Sequence, residues 1–229
     1  LLANSSDGAG VLNLANDAGS TRIMGDGMYL TGGGRFAVYD ADATETINLE
    51  GAKSATEGGR ATLRNASGSS TIVLDADYGT SSIGRISAHE YITLGGDVAE
   101  GFVSREQAEP GTVMCISADR PGELAVSSVA YDPTVAGVIS GAGGLSAGLK
   151  LTAGQGDNAA YVAVTGRVYV LCDATKHPIR PGDLLTTSDT PGHAMKAKER
   201  DRAFGAVLGK AMTPLASGKG LVLALVALQ

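Results

Sequence analysis

Apolar and polar positions alternate in short runs through the first 95 or so residues, and the runs recur with a fixed period. Each run is followed by a small polar segment, and an isoleucine stands seven residues after the first residue of that segment. The runs, segments and isoleucines are Val11-Leu12-Asn13-Leu14, 16–20 and Ile23; Phe36-Ala37-Val38-Tyr39, 40–44 and Ile47; and Ala61-Thr62-Leu63-Arg64, 65–69 and Ile72. Alternation on both sides of a turn predicts a β-hairpin, and a period of 24 and then 25 residues predicts that the hairpin is repeated.

A hairpin of this size cannot bury its own apolar side, so it must stack on other hairpins. A looser last unit follows the third repeat and runs from Thr71 to Leu94. We therefore predict a β-repeat stalk over residues 1–94, in a hairpin or β-helix-like form, with its interior shared between subunits. An ordinary monomeric β domain is the alternative.

The pattern changes near Gly95, beyond which the apolar runs are longer and are separated by Pro-Gly and Gly-Asp turn signals. Many short strands separated by such turns are typical of a β-barrel or β-sandwich. We predict a compact β-rich head over residues 95–229, in which 198–204 holds at most one helical turn. The predicted strands are 112–116, 124–126, 135–139, 160–165, 167–172, 184–187, 203–211 and 221–228.

The composition of the chain argues against several classes of protein. The chain has no Trp, three Phe and 33 Gly, which is a poor basis for an ordinary globular core, and its formal net charge of −6 argues against nucleic-acid binding. The last apolar run, Leu221 to Leu228, has strand length and is far too short to span a membrane. Cys115 and Cys172 lie in apolar runs and are expected to be buried, inert thiols.

Candidate chemistry is sparse. None of the three histidines stands at metal-ligand spacing from another His or Cys, no phosphate-binding loop is present, and we expect no metal and no cofactor. Ser87 and His89 form a weak candidate catalytic pair, because alternation along a strand would place both on one face. Two surface residues of the last stalk strand are the plainer interpretation.

The junction from Leu94 to Phe102 brings glycines and two acidic residues together, and a tight corner between stalk and head is expected there. From Gly96, Asp97 and Glu100 onward the chain resembles the C-terminal domain of phage tail-fibre, tailspike and neck-appendage proteins. The resemblance covers residues 96–229. The phage domain is matched by Gly96-Asp97-Val98-Ala99-Glu100, 109–114 and 130–142. The segments 164–169, 182–188, 191–196 and 204–211 resemble a widespread bacterial version of the same domain, which also stands at the end of β-repeat stalks.

The resemblance implies a homotrimer whose C-terminal domain sets the register of three chains and acts as an intramolecular chaperone. In some relatives this domain then removes itself by autoproteolysis. Apart from Ser87 and His89, no nucleophile and base can be matched onto this chain, and we expect that it is not an enzyme.

The leading hypothesis is a structural component of a trimeric phage-like tail fibre or tailspike, located on a virion or extracellular particle, whose head directs assembly and attachment to a host surface. Its expected partners are two further copies, other tail or baseplate proteins and a host surface glycan or protein, with no nucleic acid and no membrane insertion. The alternatives are a secreted or cell-surface bacterial β-filament or adhesin, and a self-cleaving or glycan-degrading tailspike enzyme.

Overall fold

The computed structural model describes residues 11–29, 33–51, 58–76, 84–88, 90–151 and 159–228. The chain divides into two compact units, a first unit of residues 1–91 and a second unit of residues 92–229.

The first unit contains one seven-stranded sheet in which every strand pairs antiparallel with the next strand along the chain. Such a meander is the simplest arrangement for successive hairpins. Its strands are β1 (Val11–Ala15), β2 (Thr21–Tyr29), β3 (Gly33–Tyr39), β4 (Glu45–Glu50), β5 (Arg60–Arg64), β6 (Ser70–Asp75) and β7 (Arg85–Ala88).

The predicted polar segments form the turns β1–β2, β3–β4 and β5–β6. In each turn the side-chain oxygen of the first residue accepts backbone N–H groups: Asn65 Oδ1 accepts from Ser67 at 3.1 Å and from Ser69 at 2.9 Å, and Asp40 Oδ1 accepts from Asp42 and Thr44. Short Asn and Asp side chains satisfy turn backbone in this way, which is why these residues punctuate the repeat.

The second unit is a ten-stranded sheet that carries one turn of helix, α1 (Arg200–Ala203), and a short 3₁₀ turn (Ala142–Gly144). Its strands are β8 (Asp97–Val103), β9 (Val113–Ile116), β10 (Leu124–Val126), β11 (Val135–Ile139), β12 (Leu149–Leu151), β13 (Ala159–Asp173), β14 (Leu184–Thr187), β15 (Ala194–Lys196), β16 (Val207–Ala211) and β17 (Lys219–Ala227).

Five of these strands close into a barrel in the order β13-β15-β14-β16-β17, because β13 pairs with both β15 and β17. Inward-facing residues of the barrel strands, among them Val168, Val170, Leu185, Leu208 and Val222, are fully buried and form the main core. The C-terminal strand β17 is tied into the sheet on both sides, as its hydrophobicity requires.

Two details differ from the sequence expectations. Of the junction segment 94–102, only residues 94–96 form a bend, and they belong to the second unit. Residues from Asp97 onward form β8, which pairs with β12 on one side and with β13 on the other. The predicted strand 203–211 begins only at Val207, since α1 and the following turn occupy residues 200–206.

The all-β prediction, with hairpin repeats followed by a barrel-containing region, is confirmed. The β-helix-like form and the trimer stay predictions.

Candidate functional site

One face of the seven-stranded sheet is apolar along its whole width. Strand pairing aligns its residues in two straight rows that run across all the strands. The first row is Leu14-Ile23-Val38-Ile47-Leu63-Ile72-Ala88, and the second row is Leu12-Gly25-Phe36-Leu49-Ala61-Leu74-Ile86. We call these 14 positions the apolar face.

Nothing in the described part of the chain covers the apolar face. Its nine largest exposed side chains (Leu12, Leu14, Phe36, Ile47, Leu49, Leu63, Ile72, Leu74 and Ile86) are between 36% and 64% exposed. Together they present on the order of 700 Å² of apolar surface, which exceeds the few hundred Å² that a soluble monomer usually exposes in one patch.

The buried hydrophobic clusters of the described residues all belong to the second unit. In the described part of the first unit, Ala37 is the single buried hydrophobic residue. The first unit therefore lacks a hydrophobic core of its own within the residues that the structure describes.

The opposite face, here called the polar face, carries charged side chains that form ion pairs with one another, together with a few apolar residues such as Ala37 and Val73. Arg60 Nη2 lies 2.5 Å from Asp75 Oδ2, and Glu45 forms ion pairs with Arg35 and, at 3.3 Å, with Arg64. Beneath these charges Asn48 and Thr62 are buried.

Asn48 links two of the charged side chains on this polar face. It accepts a hydrogen bond of 3.1 Å from Arg35 Nε and donates one of 2.9 Å to Glu50. Within the described residues, these polar side chains therefore have partners in the chain itself, whereas the apolar face is left exposed.

The predicted junction residue Gly96 lies where two backbone segments cross closely. Its carbonyl accepts a 2.7 Å hydrogen bond from Arg167 N, and its amide donates one of 3.0 Å to Ser146 O. A Cβ atom at Gly96 would lie 2.5 Å from Arg167 O, so this position requires glycine for lack of space.

Asp97 is 4% exposed, and neither of its carboxylate oxygens has a hydrogen-bond partner among the described residues. The buried Ser140 Oγ likewise has no hydrogen-bond partner there. Burial raises the pKa of Asp97, and nearby Ser140, the Gly148 amide and Lys150 oppose that shift. A carboxyl group in this setting favours its neutral form.

The other junction acid, Glu100, is not brought together with Asp97. Both lie on β8, where alternation places residues three apart on opposite sides of the strand. Glu100 is partly buried and lies opposite Val162 of β13.

Ser87 lies on β7, opposite Val73, on the polar side of the sheet. His89, the other member of the weak candidate pair, lies outside the described residues. The pair therefore stays a prediction.

Both cysteines are buried and free, as expected. Burial raises the pKa of each thiol to about 12, with a further contribution from Asp132 for Cys115 and from Asp173 for Cys172. Thiols that stay protonated are poor nucleophiles and poor metal ligands, so these side chains serve packing.

Within the described ranges, no group of three His, Cys, Asp or Glu side chains is placed to hold a metal ion. No helix among these residues is long and apolar enough to cross a membrane. The feature that stands out in the described part of the chain is the exposed apolar face.

The alternating runs located the apolar residues, but the sequence analysis missed the charged network on the other face. A signal was available in four charged residues of alternating sign. Glu50, Arg60 and Asp75 stand at the end of their strand that is remote from the hairpin turn, and Arg35 stands near that end of β3.

No known family profile matches the chain, and no curated protein sequence matches it. Among solved structures, the chain is similar to the crystal structure of the pre-mature bacteriophage phi29 gene product 12, with a TM-score of 0.48 and 17% sequence identity. The similarity covers 69% of this chain and 25% of that one, so the chain spans about a quarter of the length of that protein.

Proposed function

We propose that the protein is a structural part of a trimeric, phage-like tail fibre or tailspike, in which the first unit forms the shaft and the second unit directs assembly. The proposal also takes from the resemblance of residues 96–229 a location on a virion or extracellular particle and a role in attachment to a host surface.

The observation that carries the proposal is the uncovered apolar face. About 700 Å² of apolar surface on each chain approaches the roughly 800 Å² that each partner contributes to a standard stable interface. The occupant that fits it is the same face of two further copies, because identical rows of medium-sized side chains present matching height and spacing.

A role for the second unit in assembly follows from its independent core. A sheet of short strands separated by small polar turns specifies its pairing with other chains weakly, and pairing between chains is slow. A unit that folds around its own core and associates first raises the effective concentration of the three shafts.

The mass in solution is the first test. Light scattering is expected to give three times the 23.0 kDa of one chain. A chain that stays monomeric at micromolar concentration would overturn the proposal.

The second test compares charges on the two faces of the sheet. Leu14→Glu and Leu49→Glu place a charge on the apolar face, whereas Asn13→Glu places the same charge on the exposed polar face of β1. The measurement is hydrogen exchange of the backbone amides of β1 to β7. The mass in solution is not sufficient here, because the second unit alone could hold three chains together after the first units have separated.

We expect both apolar-face variants to lose protection in the shaft at least tenfold and Asn13→Glu to keep it. Unchanged protection in Leu49→Glu would show that the apolar face is not buried between copies.

A further inference from the structure

The three hairpins of the first unit have the same register. Counted from the first residue of each turn (Asn16, Asp40 or Asn65), the residue two positions before it pairs with the residue seven positions after it. The pairs are Leu14–Ile23, Val38–Ile47 and Leu63–Ile72. The pairing register of each hairpin also shifts at the same step before the turn, immediately after the first residue of each of these pairs.

The same rule holds further from the turn. The residues four before and nine after the turn start are Leu12–Gly25, Phe36–Leu49 and Ala61–Leu74, which form the second apolar row. At the positions five residues before and ten residues after the turn start, Arg35 lies opposite Glu50 in the second hairpin and Arg60 lies opposite Asp75 in the third.

Neighbouring hairpins continue both rows without a step. Ile23 pairs with Val38 and Ile47 pairs with Leu63, while Glu50 lies opposite Arg60 at the charged end. Each hairpin therefore places the same positions in the two rows of the apolar face. The second and third hairpins also carry opposite charges on the other face, whereas in the first hairpin Val11 lies opposite Asp26, which in turn lies opposite Arg35.

From this we infer that the hairpins are exchangeable modules, each carrying an equal share of one surface between copies of the chain, so that the number of hairpins sets the length of the shaft. The identity of the occupant rests on the proposed function, whereas the exchangeability rests on the register alone.

The register identifies a deletion that should be tolerated. Removing residues 40–64, which is 25 residues, joins Tyr39 to Asn65. The new hairpin would pair Val38 with Ile72 and Phe36 with Leu74, and it would bring Arg35 opposite Asp75 in place of Arg60. Both apolar rows and the charge pairing are kept.

A deletion one residue shorter is the matched control. Removing residues 41–64 leaves Asp40 in front of Asn65, so that Tyr39 and Ala37 take the apolar-row positions. Val38 and Phe36 then point to the polar face, because a slip of one residue exchanges the two faces of a strand.

The experiment compares the full chain with both deletions by light scattering, hydrogen exchange and electron microscopy. The 25-residue deletion is expected to keep the trimer mass and the protection of the remaining strands, and to shorten the sheet by two strands, about 10 Å. The 24-residue deletion is expected to lose protection in β1 to β3.

Equal behaviour of the two deletions, whether both fold or both fail, would overturn the inference. A monomeric parent chain would refute the copy–copy surface and the proposed function together. Exchangeability is judged separately, by whether the two deletions differ in hydrogen exchange.

Discussion

Arg60 and Asp75 lie directly opposite each other on β5 and β6, and the Arg60 guanidinium donates two hydrogen bonds, of 2.5 and 3.0 Å, to the same Asp75 oxygen. Asp75 is almost fully buried while half of Arg60 reaches solvent. The pair thus links β5 and β6 at the ends remote from the turn, on the face opposite to the apolar face.

Replacing Asp75 by Asn should destabilise the first unit by about 1–3 kcal/mol, because the buried negative charge that accepts both hydrogen bonds of Arg60 is lost. Urea unfolding followed by hydrogen exchange on β5 and β6 measures the change. Asp42→Asn, at an exposed turn position, is the control and should stay within about 0.5 kcal/mol of the parent. Equal effects of the two substitutions would show that the ion pair contributes nothing specific.

Ala43 adopts a left-handed conformation with φ of 63°, at the turn position that Gly19 and Gly68 occupy with φ of 78° and 79°. Glycine adopts this conformation without steric cost, whereas alanine does not. Ala43→Gly should therefore stabilise the first unit by about 0.5–1 kcal/mol in urea unfolding.

Ala41, in the same turn but without a positive φ, supplies the opposite control. Ala41→Gly should lower the free energy of unfolding by about 0.5 kcal/mol, because glycine gives the unfolded chain more conformational freedom. If both glycine variants shift stability in the same direction, the strain assigned to Ala43 is absent.

The sequence predicted those turns because their signals are local: Asn or Asp at the start, and small residues within five positions. It did not predict the pairing of Arg60 with Asp75, since that depends on the register of the whole hairpin over residues 60–75. Alternation assigns a residue to one of two faces, but the two continuous apolar rows depend on the pairing register of all seven strands, which alternation does not determine.

In the second unit, a local signal led to a strand break that the structure does not have. Gly166 separates two predicted strands, yet β13 runs unbroken through it with a register shift nearby, because the positive φ of 104° at this glycine admits the backbone of Gly96 and Asp97. A glycine inside an apolar run indicates either a break or a close approach, and only the neighbouring backbone decides between them.

Gly166→Ala should cost at least about 3 kcal/mol or prevent folding, because the new Cβ would lie 2.7 Å from both Asp97 Cα and Gly96 O. Gly122→Ala is its matched control: φ is also positive, at 87°, but the space around it is open. That variant should lose only about 1 kcal/mol. Thermal unfolding and soluble yield distinguish the two, and similar losses would mean that crowding at Gly166 is unimportant.

The burial of Asp97 makes the stability of the second unit depend on pH. Its pKa is raised in the folded state, chiefly by desolvation, so the neutral carboxyl is the form that the fold prefers. The resulting stabilisation is fully present below the unfolded pKa, near 4, and is lost as pH rises through the folded value. Ser140, the Gly148 amide and the charge of Lys150 act in the opposite direction and reduce this loss only in part.

Asp97→Asn removes the titrating group and keeps the shape of the side chain. We expect it to raise the free energy of unfolding at pH 7 by about 1 kcal/mol, since an amide carries no charge to desolvate, and to leave stability unchanged near pH 3. Urea unfolding of the second unit at a series of pH values measures both effects. Parallel pH profiles for the parent chain and the variant would show that Asp97 is solvated or paired in solution, whereas profiles that converge toward low pH would establish a buried carboxyl without a partner.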